Sequence, residues 1–313
     1  MTTTETPVRR RSGTQAPEPR HGKPWTHGLP AAAFLAPFLI LYLAFIIGPA
    51  IYGLVMSFFD TSLVKPGLGS FAGFGNYAEA LQSSDFWAGL WHTVWFTILT
   101  TPPLILLAFV FALLADRAKR GRWFFRLAFF MPYILPSAVI ALIWIFIYTP
   151  ELGLLGTGLA KIGITAPNWL GDPIWAMPSL ALTTIWWTLG FNFVLYLAGL
   201  QDIPRELYEA ASMDGAGPWQ QIWRITVPLL ARTTTLVVVL QVIASLKVFD
   251  QMYIMTQGGP NFATRSILEY IYDEGFTNFR TGYAAAASML FFLVVVAVSA
   301  VWFGIVRRQQ KEG

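Results

Sequence analysis

The feature that most constrains this chain is a set of long stretches without Asp, Glu, Lys or Arg, at residues 29–59, 86–115, 127–150, 173–201 and 281–306. Each exceeds the roughly 20 residues that a helix needs to cross about 30 Å of hydrocarbon. A sixth stretch, 229–256, is strongly apolar around "TLVVVLQVIASL" but carries Arg232, Lys247 and Asp250, so it reads as a span with a polar face. The chain is 55% hydrophobic and 12% charged, against about 45–50% and about 25% in soluble domains. Lipid is therefore the solvent for most of it. In lipid every backbone donor and acceptor must be satisfied internally, and the roughly 10-residue alternation of a membrane barrel is absent. The expected fold is all-α, a polytopic membrane bundle of six transmembrane helices. Pro49, Pro102, Pro103, Pro132, Pro136 and Pro178 fall inside the spans and predict kinks.

The cations set the orientation. Residues 1–28 hold Arg9, Arg10, Arg11, Arg20 and Lys23, and 116–126 hold Arg117, Lys119, Arg120, Arg122 and Arg126. The segments 60–85 and 151–172 hold only Lys65 and Lys161. The positive-inside bias then predicts that both termini are cytoplasmic, with Arg307, Arg308 and Lys311 after the last span. Between 202–228, with Arg205 and Arg224, and 257–280, with Arg265 and Arg280, the bias is nearly level. The first apolar stretch is about twice the roughly 7–15 residues of a signal-peptide core and has no small-x-small cleavage site, so it is expected to stay as a span. Residues 1–28 are Pro-, Thr- and Arg-rich and predict a disordered cytoplasmic tail; 307–313 form a short second tail.

Several function classes are excluded. There is no cysteine, and His21, His27 and His92 form neither an i,i+4 pair nor HExxH, so no metal or other cofactor is expected. No basic stripe points to nucleic acid. No phosphate-binding G-x-x-x-x-G-K-[ST] loop is present, since the one Gly-Lys pair, Gly22-Lys23, runs into Pro24. No G-x-S-x-G elbow occurs, and no carboxylate pair sits inside a span to serve as general acid and base. The chain is not expected to be an enzyme.

Between the fourth and fifth spans lies "LQDIPRELYEAASMDGAGPWQQIWRITVPLL", too polar to insert and patterned as two short helices. Pro204 suits a first turn, Glu206 and Glu209 favour its positive end, and Leu207, Ala210 and Ala211 recur on one face. Gly215 ends that helix. Gly217-Pro218 opens a second, in which Trp219, Ile222 and Trp223 can lie at the membrane interface, and Pro228 marks the start of span five. On pattern alone this is either an interfacial hairpin or a helix–turn–helix knob on the cytoplasmic face.

The order Glu209-Ala210-Ala211, three residues, Gly215, nine residues, Ile225, one residue, Val227-Pro228 resembles the EAA loop of permease subunits in bacterial ABC importers, with Val227 where that loop has Leu. The stretches at 74–97, 129–144, 256–272 and 276–288 resemble the carbohydrate branch of that family, of the maltose and glycerol-phosphate type, and the likeness covers 30–303. It implies a type I importer permease fold in a bacterial inner membrane, with a permease domain at 29–306, a core at 86–306 and a coupling loop at 202–228. Glu209, Ala210, Ala211, Asp214, Gly215, Ile225 and Pro228 would then meet a separate ATPase dimer. A second homologous permease and an extracytoplasmic sugar-binding protein are the other implied partners. Local chemistry agrees: two alanines allow close approach, Gly215 permits a sharp reversal, and Glu209 can meet a basic group.

Polar residues in the spans point to a path. An ionisable group at mid-membrane costs roughly 2.5–3.5 kcal/mol, so Lys247 and Asp250 should face a partner or a wet cavity, and their i,i+3 spacing lets them neutralise each other. They lie, with Ser245 and Tyr253, near a translocation path, or they form a structural ion pair near the outer interface. In the family, the helix before the "GGP" turn lines the sugar pathway. Span four mixes Trp186, Trp187, Asn192 and Tyr196, stacking faces beside hydrogen-bond groups that suit a sugar. The tryptophans also fit as interfacial anchors, and Asn192 could find its partner on a neighbouring helix. His92 reads as an interfacial residue. Gly258-Gly259-Pro260 predicts a tight turn, and Glu269, Asp273 and Glu274 an acidic edge on the outer loop, where the family's binding protein docks unless the loop is simply solvated. The rival is an ion-coupled secondary carrier using Lys247 and Asp250, for which inverted repeats are expected and no obvious repeat is found.

Overall fold

The computed structural model describes residues 28–65, 67–117 and 122–309. The expected tails, apart from Gly28 and 307–309, and the cations Lys119, Arg120 and Lys311 lie outside them. The chain divides at Ile51 into two units. The first ends in α1 (Gly28–Tyr42), a π-helical turn (Leu43–Ile47) and the start of α2 (Gly48–Met56). No residue of the turn or of α2 is buried. The turn explains why Pro49 causes no break. Its wider backbone, closed by Gly48 N–H to the Leu43 carbonyl, leaves room where a proline ring would strike the carbonyl four residues back.

The second unit is helical. Its described residues include a single isolated β bridge, Phe59 to Phe71. In chain order come α3 (Gly75–Gln82), α4 (Ser84–Arg117), α5 (Arg122–Ile134), α6 (Ser137–Tyr148), α7 (Leu154–Lys161) and α8 (Pro173–Gln201). There follow α9 (Arg205–Met213), α10 (Pro218–Gln221), α11 (Val227–Leu229), α12 (Ala231–Leu246), α13 (Asp250–Thr256), α14 (Ile267–Tyr272) and α15 (Thr281–Gln309).

The axis of this unit is the α4–α8 pair. Ala108, Ala112 and Ala115 form a small-residue stripe on α4 that lets α8 approach with Leu189, Phe193, Tyr196, Leu197 and Leu200. Between helices in lipid such contact, rather than hydrophobic burial, drives association. α5 also approaches α8 closely: a side-chain carbon on Gly190 would collide with the Phe129 carbonyl. The spans' hydroxyls are mostly satisfied within their own helices, as with Thr93, Thr100, Thr183 and Thr188, each bonded to the carbonyl four residues back.

The spans differ from the simple expectation in two places. Four helices are long and apolar enough to cross a membrane: Phe34–Met56, Ser84–Arg117, Pro173–Gln201 and Thr281–Trp302. The third expected span is a pair, α5 and α6, bent by 98°. Pro136 has no N–H to continue the ladder and its ψ of 146° turns the chain extended before α6. The fifth expected span, 229–256, is not one helix either. Pro218–Leu229 meets Ala231–Leu246 at 63°, with Leu230 at the corner, and the helix stops again before α13. Counting each bent pair as one span gives six. Pro102, Pro103 and Pro178 stay inside continuous helices.

Candidate functional site

The second break in that region makes a site. α12 ends at Leu246 and α13 begins at Asp250, leaving 247–249 outside any helix, with Phe249 at φ −144° and ψ −68°. Beside the break lies a cavity of about 260 Å³ between α4, α5, α6, α8, α12 and α13. Ser137, Thr184, Thr188, Gln241 and Gln251 give it hydrogen-bond groups, and Tyr133, Trp187 and Phe249 give it aromatic faces.

Of the residues expected from sequence, Ser245, Lys247 and Asp250 line this cavity. The Ser245 hydroxyl, however, donates to the Val242 carbonyl at 3.0 Å. Lys247 and Asp250 are both exposed to the cavity, and no ion pair joins them among the described residues. The expected neutralisation fails because helical i,i+3 geometry does not run through the break. Asp250 instead accepts from Ser137 Oγ at 3.3 Å.

Three expected residues lie off the cavity wall. Tyr253 stacks on Phe249 and meets Tyr272 edge-on, with centroids 5.4 and 5.2 Å away. Trp186 packs edge-to-face on Trp144 at 5.5 Å; its neighbour Trp187 lines the cavity and donates to the Leu135 carbonyl at 3.2 Å, across the α5–α6 break. Asn192 is buried, donating to the Thr188 carbonyl at 3.2 Å and to Gln241 Oε1 at 3.3 Å, so its partner is the neighbouring helix. Sequence reading missed Gln241 and Gln251, though amides inside an apolar stretch were the available signal. Gln251 is 3% exposed and bonds Thr184 and the Leu180 carbonyl.

The predicted hairpin is present. Gly215 turns the chain at φ +83°, a conformation that costs a side-chain-bearing residue. Gln221 Nε2 then staples the two arms, donating to Ser212 Oγ at 2.8 Å, the Ala216 carbonyl at 3.3 Å and the Tyr208 carbonyl at 3.4 Å. Tyr208 and Thr226 share a further 2.9 Å bond. The inward face of α9 is thus Tyr208 and Ala211, whereas Leu207, Ala210 and Met213 point out, with Met213 88% exposed. Glu209 is on the exposed side as well. Ala211, Asp214, Gly215 and Ile225 border a half-polar hollow of about 380 Å³ with Gln220 and Arg224. Ile222, expected beside Trp219 and Trp223 at the interface, is buried, while the two tryptophans are exposed. Pro228 lies in α11 and follows a second π-helical turn, Ile222–Thr226, that makes room for its ring.

The Gly258-Gly259-Pro260 turn is held by Thr264, whose N–H bonds the Gly258 carbonyl at 3.0 Å and whose hydroxyl bonds the Gly259 carbonyl at 2.7 Å. Arg265 pairs with Asp85 at 3.1 Å, and its carbonyl meets His92 Nδ1 at 3.1 Å. The expected acidic edge is partly internal. Glu269 is 2% exposed, and burial first, then the nearby Asp273, pushes its carboxyl up to about 7. Glu274 is taken by Arg280 at 3.5 Å, which also grips Glu79 at 2.6 Å.

Residues 105–311 match a family described as the binding-protein-dependent transport system inner membrane component. The chain belongs to this family. The permease is 35% identical over 277 residues to the sulfoquinovosyl glycerol transport system permease of Agrobacterium fabrum, covering 88% of this chain and 90% of that one. It is 35% identical over 285 residues to an sn-glycerol-3-phosphate transport system permease of the same organism, covering 89% and 95%. With the trehalose/maltose transport permease of Thermococcus litoralis it shares 33% over 276 residues, covering 87% and 92%. A crystal structure of a bacterial ABC transporter that imports the acidic polysaccharide alginate superposes with a TM-score of 0.79 at 26% identity, over 89% of this permease and 95% of that chain. The permease is thus an all-α, multi-pass inner-membrane subunit with the fold of ABC importer permeases. The family match takes in the hairpin and the broken helix, and starts at Ile105, inside α4.

Proposed function

We propose that this permease forms half of the path through which an ATP-driven importer moves a sugar or a sugar-like polyol, a second homologous permease supplying the other half. The observation that carries this reading is the cavity at the 247–249 break. An interrupted helix inside a bundle frees backbone groups only where they line a cavity, and this one sets amides and hydroxyls beside aromatic rings. That mixture fits a solute with hydroxyls on its edges and C–H on its faces. The relatives' names, sulfoquinovosyl glycerol, glycerol 3-phosphate and trehalose/maltose, all belong to polyhydroxylated solutes.

The hairpin 202–228 is the lever. Its outward Leu207, Glu209, Ala210 and Met213 suit a socket on a separate ATPase dimer, which hydrolyses the ATP. Gln221 keeps the two arms rigid enough to pass on a push. ATPase closure then switches the bundle between inward- and outward-open states as a rigid-body motion. In this arrangement both termini, the 1–28 and 307–313 tails and the hairpin are cytoplasmic, and 29–306 is the permease domain with its core at 86–306. The loops 151–172 and 257–280 face an extracytoplasmic sugar-binding protein.

Purification from its native membrane and reconstitution in vesicles test the proposal. The expected result is co-isolation with an ATPase and a second permease, and solute uptake only with ATP and binding protein. Uptake by the lone chain on an ion gradient would overturn it.

A further inference from the structure

Glu269 stands on the first turn of α14 and is 2% exposed. Ser266 Oγ caps that helix by accepting the Glu269 N–H at 3.2 Å. Glu269's own carboxyl is buried beside it, and Oε2 has no hydrogen-bond partner among the described residues. The cap is made by the backbone N–H, so it does not depend on whether the carboxyl is charged.

The surroundings disfavour the charge. Asp273, one turn on, has the same sign, and Arg265 is the cation that acts on Glu269. Arg265 is already committed to Asp85 at 3.1 Å and lies 4.1 Å above the Phe262 ring. Among the described residues, the elements packed on α14 bring no further cation to it. α4 contributes Asp85 and His92, the latter bonded to the Arg265 carbonyl, and α13 contributes the Tyr253 hydroxyl. The start of α15 brings Tyr283, bonded to Tyr270, and before it Arg280 is held by Glu79 and Glu274. On the other side is the tight turn: a side-chain carbon on Gly258, at φ +74°, would sit 3.2 Å from Glu269 Oε1.

We propose that Glu269 is a proton-binding site that latches the 256–264 turn to α14, closed when neutral and loosened when ionised. Taking up a proton from solvent on Oε2 leaves the Ser266 cap intact and removes the charge. The sign follows from linkage. An opened turn would let the carboxyl ionise near its usual value, so between about pH 4.5 and about pH 7 the closed turn binds the extra proton, and rising pH favours opening. The turn directly follows α13, whose first residues line the cavity, so acidity at this loop is read out at the mouth of the path. That last step rests on the proposed transport path; the latch does not.

Hydrogen–deuterium exchange on the assembled importer, corrected for intrinsic rates, tests the latch. Between about pH 5 and about pH 8, opening of residues 256–272 should rise roughly seventyfold relative to α8, and Glu269→Gln should hold it flat. A pH-independent wild type, or a variant that keeps the pH dependence, would overturn the proposal. Should Glu269→Gln fail to assemble, Asp273→Asn serves: removing the like charge must move the midpoint to lower pH, and an unmoved midpoint counts against the latch. If the transport reading itself is wrong, ATP-driven uptake is missing at every pH while the exchange result stands.

Discussion

Gln251 and Thr184 are joined by a 2.7 Å hydrogen bond across the α8–α13 contact, and the same amide donates to the Leu180 carbonyl at 3.1 Å. A helix as short as α13, 7 residues, does not hold its place by its own ladder. These two bonds fix it against the cavity wall.

Removing both partners is therefore expected to cost less than the two single losses added together. Thr184→Val leaves a buried amide oxygen unpaired, a loss of about 1–3 kcal/mol. Gln251→Leu should cost a similar amount, and the double variant less than the sum of the two. Thermal unfolding of the purified complex measures all three; strict additivity would show that the bond contributes nothing.

Gly190 makes a sharper case, because the Phe129 carbonyl occupies the space a side chain would need. Gly190→Ala must push α5 off α8 and should destabilise by about 1–3 kcal/mol, with Gly190→Val worse. Gly304→Ala, where nothing lies within 4 Å, is the control and should be neutral. Equal melting temperatures for the two alanine variants would remove the close-approach argument.

What the sequence made legible follows the range of the physics involved. Uncharged length located the four long spans, and local turn chemistry located Gly215 and the Gly258-Gly259-Pro260 turn, since a positive φ is a property of one or two residues. Proline alone did not give the bends. Pro102 and Pro103 sit in a continuous α4, while Pro136 stands in the break between α5 and α6. Lys247 and Asp250 were placed by helical spacing in a stretch that is not helical. Gln251 could be flagged as an amide in an apolar stretch, but its role and that of Gln221 are decided by partners 67 and 9 residues away, Thr184 and Ser212.

In the hairpin, rigidity and contact separate into two experiments. Gln221→Ala loses the staple without touching the outward face, and Glu209→Lys changes that face without touching the staple. Both should leave membrane insertion intact and cut ATP-coupled uptake, as should Gly215→Pro, which forbids a φ of +83°. Only Gln221→Ala should also raise hydrogen exchange in α9. Normal uptake by all three would dismiss the hairpin as a lever.

The cavity charges discriminate between a path and a structural ion pair. In a buried pair, neutralising one partner strands the other at a cost of about 3–5 kcal/mol. Here Lys247 and Asp250 are exposed to the cavity and unpaired with each other. Lys247→Gln and Asp250→Asn should each shift stability by no more than about 0.5 kcal/mol. Their effect should fall on uptake instead, and differently for each: losing Lys247 weakens transport of an anionic polyol, whereas losing Asp250 frees Ser137 and changes a neutral sugar as much as a charged one. Melting curves and uptake of one neutral and one anionic solute, measured on the same reconstituted variants, decide it. A large stability loss rescued by swapping the two residues would restore the ion pair and remove both from the path.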